Sequence, residues 1–165
     1  MFNTKNLSSE ILKSEIDNKG AKCIGIYDDG KIIGTLSVFK DNKKHWYTDS
    51  KNCLEIKYVA VAPESQGRHV GSALMDFVKA KEEYEILNVS TGEKNINAIR
   101  YYERNGFVLV DVSRGPIHNA YKLAYWRDGC PIKQRTIKKH VLVSKIKCYV
   151  KRLFIRTKVS KEMYQ

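Results

Sequence analysis

Several residues in this 165-residue chain combine types and spacings that can do chemistry. The stretch "PESQGRHVGSAL", Pro63 to Leu74, runs from a strand-like segment into a helix-like one, with Gly67, Arg68, Gly71, Ser72 and Ala73 at the junction. A helix start leaves backbone N–H groups unpaired and carries the positive end of the helix dipole, so it attracts anions. Gly67 and Gly71 remove the Cβ atoms that would hold a phosphate at a distance, and Arg68 adds positive charge. The spacing fits neither the Gly-x-Gly-x-x-Gly dinucleotide fingerprint nor a P-loop ending in Gly-Lys-Ser/Thr. Simple helix capping is the competing explanation. Further along, Tyr101 and Tyr102 offer phenolic acids, and Glu55, His45 and His118 are candidate bases by type.

These groups need elements to position them. "AKCIGIYDDGKIIGTLSVF" reads as two strands around an Asp29-Gly30 hairpin turn. "KDNKKHWYTDSKN" reads as a polar loop, and "CLEIKYVAVAP" as a strand stopped by Pro63. In "VGSALMDFVKAKEEY" the residues Val70, Leu74, Phe77 and Val78 fall on one helical face. "EILNVS" is a strand, "NINAIRYYERNGF" a helix closed by Gly106, and "VLVDV" and "AYKLAYW" are strands. Upstream, "LSSEILKSEIDNKG" has the cap, apolar spacing and glycine stop of a short helix. Together these predict an α/β layer fold.

Two segments then resemble one family. "VAVAPESQGRHVGSALM" is similar to the acetyl-coenzyme-A-binding segment of the GNAT N-acetyltransferases, Gln/Arg-x-x-Gly-x-Gly/Ala, through Arg68, Gly71 and Ala73, with Gln66 and Gly67 before them. "NINAIRYYERNGF" resembles the family's later helix through Asn95, Ala98, Tyr102, Glu103, Gly106 and Phe107. The likeness covers about residues 20 to 126. It implies the acyl-CoA N-acyltransferase fold, a mixed and mostly antiparallel sheet flanked by helices, and acetyl-CoA as cosubstrate.

By that resemblance the backbone of Val59 and Val61 holds the pantetheine arm where their strand splays from its neighbour, much as a strand is added to a sheet edge. Residues Gln66, Gly67, Arg68, Val70, Gly71 and Ser72 take the pyrophosphate, and Asn95 and Ala98 meet the cofactor. Tyr102 puts its hydroxyl near the thioester sulfur as general acid. An amine attacks the thioester directly, so the oxyanion needs a donor and the thiolate a proton. Glu55 stands where some members carry a glutamate base, a role that calls for burial to raise its pKa. The segment before the hairpin is short for the family, which leaves the acceptor open. A small amine such as an amino sugar or polyamine is favoured over a protein amine, and a cofactor-binding module without catalysis is the alternative.

Charge divides the chain. Residues 1–126, read as the acetyltransferase domain, hold 18 Lys+Arg against 16 Asp+Glu, whereas 127–165 hold 12 against 2. This tail reads as a basic amphipathic helix with Leu142, Ile146, Tyr149, Val150 and Leu153 along one side. Packing on its own domain, an anionic membrane surface, a homodimer partner or an acidic protein are its readings, with nucleic acid less favoured. Cys23, Cys53, Cys130 and Cys148 have no metal-ligand spacing and read as reduced thiols. With no secretory h-region and no apolar run long enough to span a bilayer, the expectation is a cytoplasmic protein, peripheral to a membrane at most.

Overall fold

The computed structural model describes residues 21–115 and 118–162, the side chains of 152–162 excepted. The short helix expected at 7–20 lies outside the described residues. Strands β1 (Lys22–Asp28) and β2 (Lys31–Lys40) form the expected hairpin. Asp29 and Gly30 both take positive φ, 47° and 74°, the left-handed pair that a tight hairpin turn requires. β3 (Cys53–Val61) follows, then helix α1 (Val70–Lys81), β4 (Ile86–Gly92), α2 (Ile96–Arg104), β5 (Val108–Arg114) and β6 (Asn119–Trp126). The last element is the 29-residue helix α3 (Gln134–Glu162).

The strands form one six-stranded sheet in the order β1-β2-β3-β4-β6-β5. Only β3 and β4 run parallel, and α1 makes the crossover between them. Every other neighbouring pair is antiparallel.

Two apolar layers sandwich the sheet. On one face Leu36, Val38, Ile56, Leu87, Val89 and Leu123 meet Leu74, Met75 and Val78 of α1 and Tyr102 of α2. The inward side of α1 therefore uses Met75 where Phe77 was expected, and Phe77 is 48% exposed. On the opposite face Cys53, Ile86, Val110 and Ala124 meet Tyr47 and Trp46 of the β2–β3 loop and Ile137 and Val141 of α3. The loop read as polar thus sends its aromatics inward. Trp46 also stacks on His140 of α3, with ring centroids 3.8 Å apart. The four cysteines are free thiols. Among the described residues no helix is long and apolar enough to cross a membrane.

Candidate active site

The junction between β3 and α1 has the features of an anion cradle. A short 3-10 turn, Pro63–Ser65, leads to Gly67 at φ 81° and His69 at φ 61° before the helix begins at Val70. Among the described residues no acceptor takes the backbone N–H of Gly67, His69, Val70, Gly71 or Ser72. Left-handed residues alternating with others aim successive N–H groups into one concavity, the arrangement that binds phosphates. Next to the helix start it is His69, not Gly71, that takes a positive φ. Gly71 is small for a different reason: a Cβ there would lie 3.2 Å from the Tyr101 ring. The Arg68 guanidinium lies 3.3 Å from Asp28 in an exposed ion pair, a weak contact that leaves the cation available to an anion.

Beside this turn the sheet opens. β3 pairs with β4 only from Cys53↔Ile86 to Ile56↔Val89, whereas its pairing with β2 continues to Val61↔Gly34. A bulge in the β2–β3 ladder between Thr35 and Ser37 coincides with Tyr58 at φ 52°. A bulge bends its strand and strengthens its twist. Residues Lys57–Val61, with Val59 and Val61 among them, thus have no β4 partner. The Val61 carbonyl is approached by Gln66 Nε2 at 3.4 Å.

Helix α2 packs on the same face of the sheet as α1. Asn95 caps it, its side chain accepting from Ala98 N at 3.3 Å, so both have a structural duty whatever else they meet. Ala98 is half-buried against the core. The two tyrosines differ. The Tyr101 hydroxyl donates to the Gly71 carbonyl at 2.6 Å. Tyr102 is 1% exposed, edge-on to Phe107, and nothing among the described residues hydrogen-bonds its hydroxyl. Burial pushes Tyr101 up to about 12 and Tyr102 well above the ordinary tyrosine range, the neighbouring Tyr101 adding to the second shift. Both are neutral donors at physiological pH.

Glu55 lies on the opposite face of the sheet, in register with Asn88 of β4. Its carboxylate is engaged by Lys43 at 3.4 Å and Lys57 at 4.0 Å. It sits in an ion-pair network and not in the apolar surroundings that the base reading asked for. Near it is a buried polar cluster that the sequence did not reveal. His45, a candidate base by type, is in the β2–β3 loop but buried, and its Nε2 lies 2.9 Å from Asp41 Oδ2. Asn88 Nδ2 donates to the same carboxylate at 2.9 Å, and the Tyr47 hydroxyl donates to Asn88 Oδ1. Lys122 Nζ approaches the other histidine nitrogen, Nδ1, at 3.0 Å. Burial opposes the charge on Asp41, but hydrogen bonds from His45, the Lys43 N–H and Asn88 outweigh it and hold the carboxyl well below its usual range. Burial draws Lys122 below the usual lysine range, against the pull of Asp41.

With His45 Nε2–H donating to Asp41, Nδ1 accepts from Lys122, giving a carboxylate–imidazole–ammonium chain. Lys122 stands opposite Ser90, the first β4 residue beyond the β3 pairing, so this chain ends level with the opening of the sheet. His118, the other histidine candidate, is in the β5–β6 connection. Among the described residues no group of His, Cys, Asp and Glu could hold a metal ion.

The family described as "Acetyltransferase (GNAT) family" matches residues 2–107. The chain belongs to this family. GNAT members are acyltransferases that use acetyl-CoA, and the cradle, the divided strands and the tyrosine helix fit that cosubstrate. Over 87 residues the chain is 31% identical to the peptidyl-lysine N-acetyltransferase YiaC of Escherichia coli (strain K12). That match takes in 51% of this chain and 48% of the relative, so the chain spans about half the length of the curated protein it matches. Among solved structures, a GNAT family acetyltransferase from Elizabethkingia anophelis with acetyl-CoA bound superposes with a TM-score of 0.60 at 19% identity, over 73% of this chain and 84% of the other. Ard1 from Thermoplasma volcanium gives a TM-score of 0.61 at 20% identity, over 75% of this chain and 82% of the other. At these identities the likeness shows the fold. It is the GNAT fold, a mixed six-stranded sheet with helices on both faces, as expected.

Proposed function

We propose that the protein transfers the acetyl group of acetyl-CoA to a primary amine by direct attack, without an acyl-enzyme. The observation that carries this reading is the conjunction of a turn whose Gly67, His69, Val70, Gly71 and Ser72 N–H groups have no acceptor among the described residues, a parallel strand pair that parts after Ile56, and a buried tyrosine, Tyr102, whose hydroxyl has no hydrogen-bond partner among those residues. The turn from Gln66 to Ser72, with Arg68 and Val70 in it, would take the pyrophosphate. The backbone of Val59 and Val61, which β4 does not pair, would hold the pantetheine arm, and Asn95 and Ala98 would flank it. Acetyl-CoA supplies an acetyl group activated as a thioester. Tyr102 would donate its phenolic proton toward the departing sulfur, and Glu55, once released from Lys43 and Lys57, would accept the proton of the amine.

The acceptor we favour is a small amine such as an amino sugar or a polyamine. In support, the β2–β3 loop and α3 both pack over the face of the sheet on which Glu55 lies, which restricts approach. A second reading, a lysine side chain of a protein, is favoured by the similarity to the peptidyl-lysine N-acetyltransferase YiaC. The test is thiol release from acetyl-CoA with amino sugars, polyamines and lysine peptides, in wild type and Glu55→Gln. Amine-dependent release that falls at least about 10²-fold in the variant supports the reading. Tight acetyl-CoA binding with no amine accelerating release would make the protein a binding module.

A further inference from the structure

We propose that the outward face of α3 docks on an anionic lipid surface. The helix has two apolar sides. Ile137, Val141 and Cys148 point inward and are covered by the sheet, with Cys148 Sγ near the Val112 carbonyl. His140 and Ser144 on the same side both contact Asp111 Oδ1, at 3.1 and 3.2 Å. That side fixes the helix to β5.

The other side faces solvent. Leu142, Ile146, Tyr149 and Val150 are 60%, 54%, 64% and 41% exposed, and Leu142 and Ile146, then Ile146 with Tyr149 and Val150, stand four or three residues apart and form a stripe about two turns long. This is the side that the sequence marked as apolar, and it has no cover among the described residues. Lys138 and Lys145 border the stripe on one edge and Lys147 on the other, while Lys139 stands near its start, and all four are exposed. They belong to a segment with 12 basic and 2 acidic residues.

Charge decides among the occupants. A second copy would bring the same row of lysines against this one. A nucleic acid would use the lysines but leave the apolar stripe without a partner. An anionic bilayer surface uses both, the lysines meeting headgroups and the stripe entering the boundary below them, which is how an interfacial helix binds. The stripe also lies across the sheet from α1 and α2, so docking leaves the anion cradle facing away from the lipid.

The experiment is co-sedimentation of the full chain with phosphatidylcholine vesicles, with and without phosphatidylglycerol, at low salt and at about 1 M salt, where screening acts over about 3 Å. Two variants on the exposed face accompany the wild type, Leu142→Glu/Ile146→Glu and Lys139→Glu/Lys147→Glu, each checked for an unchanged circular dichroism spectrum and melting temperature. The expected result is sedimentation with the anionic vesicles alone, reduced at least about tenfold by either variant and by high salt. Wild type that stays in the supernatant at low salt, binds neutral vesicles equally, or is matched by the Leu142→Glu/Ile146→Glu variant overturns the proposal. So does a dimer in light scattering that this variant splits, since the stripe would then be a self-interface.

Discussion

The Tyr101 hydroxyl donates to the carbonyl of Gly71 at 2.6 Å, tying the middle of α2 to the first turn of α1. One of two adjacent tyrosines is thereby a strut that holds the wall of the anion cradle, and the other's hydroxyl has no hydrogen-bond partner among the described residues. Tyr101→Phe should lower stability by about 1 kcal/mol, the usual loss for one hydrogen bond, and leave turnover near wild type at saturating acetyl-CoA. Tyr102→Phe should keep cofactor affinity and lower kcat roughly 10²-fold. Thermal melts, calorimetry and kcat on the pair check this. Because both phenols titrate well above the physiological range, neither should produce an alkaline limb in kcat below about pH 10.

The cradle makes two demands on side chains. Gly71→Glu forces a side chain against the Tyr101 ring and a carboxylate toward the phosphate position, so acetyl-CoA should no longer raise the melting temperature. His69, with φ 61°, tolerates glycine but not a β-branched residue. His69→Gly should keep cofactor affinity with stability unchanged or higher. His69→Val should cost about 1–2 kcal/mol and weaken binding. Equal melting curves for the glycine and valine variants would contradict the left-handed turn.

How far the sequence carried depended on whether a feature was local. Asp29-Gly30 announced its hairpin because a left-handed pair is a property of two adjacent residues. The helices were legible from their apolar spacing, but α1 buries Met75 and not Phe77, a choice made by contacts with the sheet. The glycines of the turn before α1 were legible, but the positive φ of His69 was not, because composition cannot mark a histidine held in a left-handed conformation. The Asp41–His45–Asn88 cluster was invisible, since its members are joined across 47 positions of sequence at the farthest. In α3 both apolar sides share one periodicity, so sequence spacing alone did not say which of them the sheet would cover.

Asp41 makes folding depend on acidity. Its carboxyl titrates lower in the folded chain than in the unfolded one, so its contribution to stability is complete above about pH 4 and disappears as pH falls through the folded value. Asp41→Asn should therefore be less stable than wild type at pH 7, by about 1–3 kcal/mol for a damaged buried hydrogen-bond set, and the gap should narrow steadily as pH falls below about 4. Denaturant melts across that range check it. A constant gap at every pH would mean that the loss comes from packing and not from the charge.

Direct transfer is the central claim, and a single-turnover experiment with acetyl-CoA labelled in the acetyl carbonyl tests it most directly. Enzyme is mixed with the labelled thioester, quenched at intervals with and without the amine that the screen identifies, and both protein and amine are analysed by mass spectrometry. Label that appears on the amine with coenzyme A, and on no residue of the protein beforehand, is the predicted result. Label that accumulates on the enzyme in the absence of amine and then passes to the amine at the rate of turnover would contradict the account.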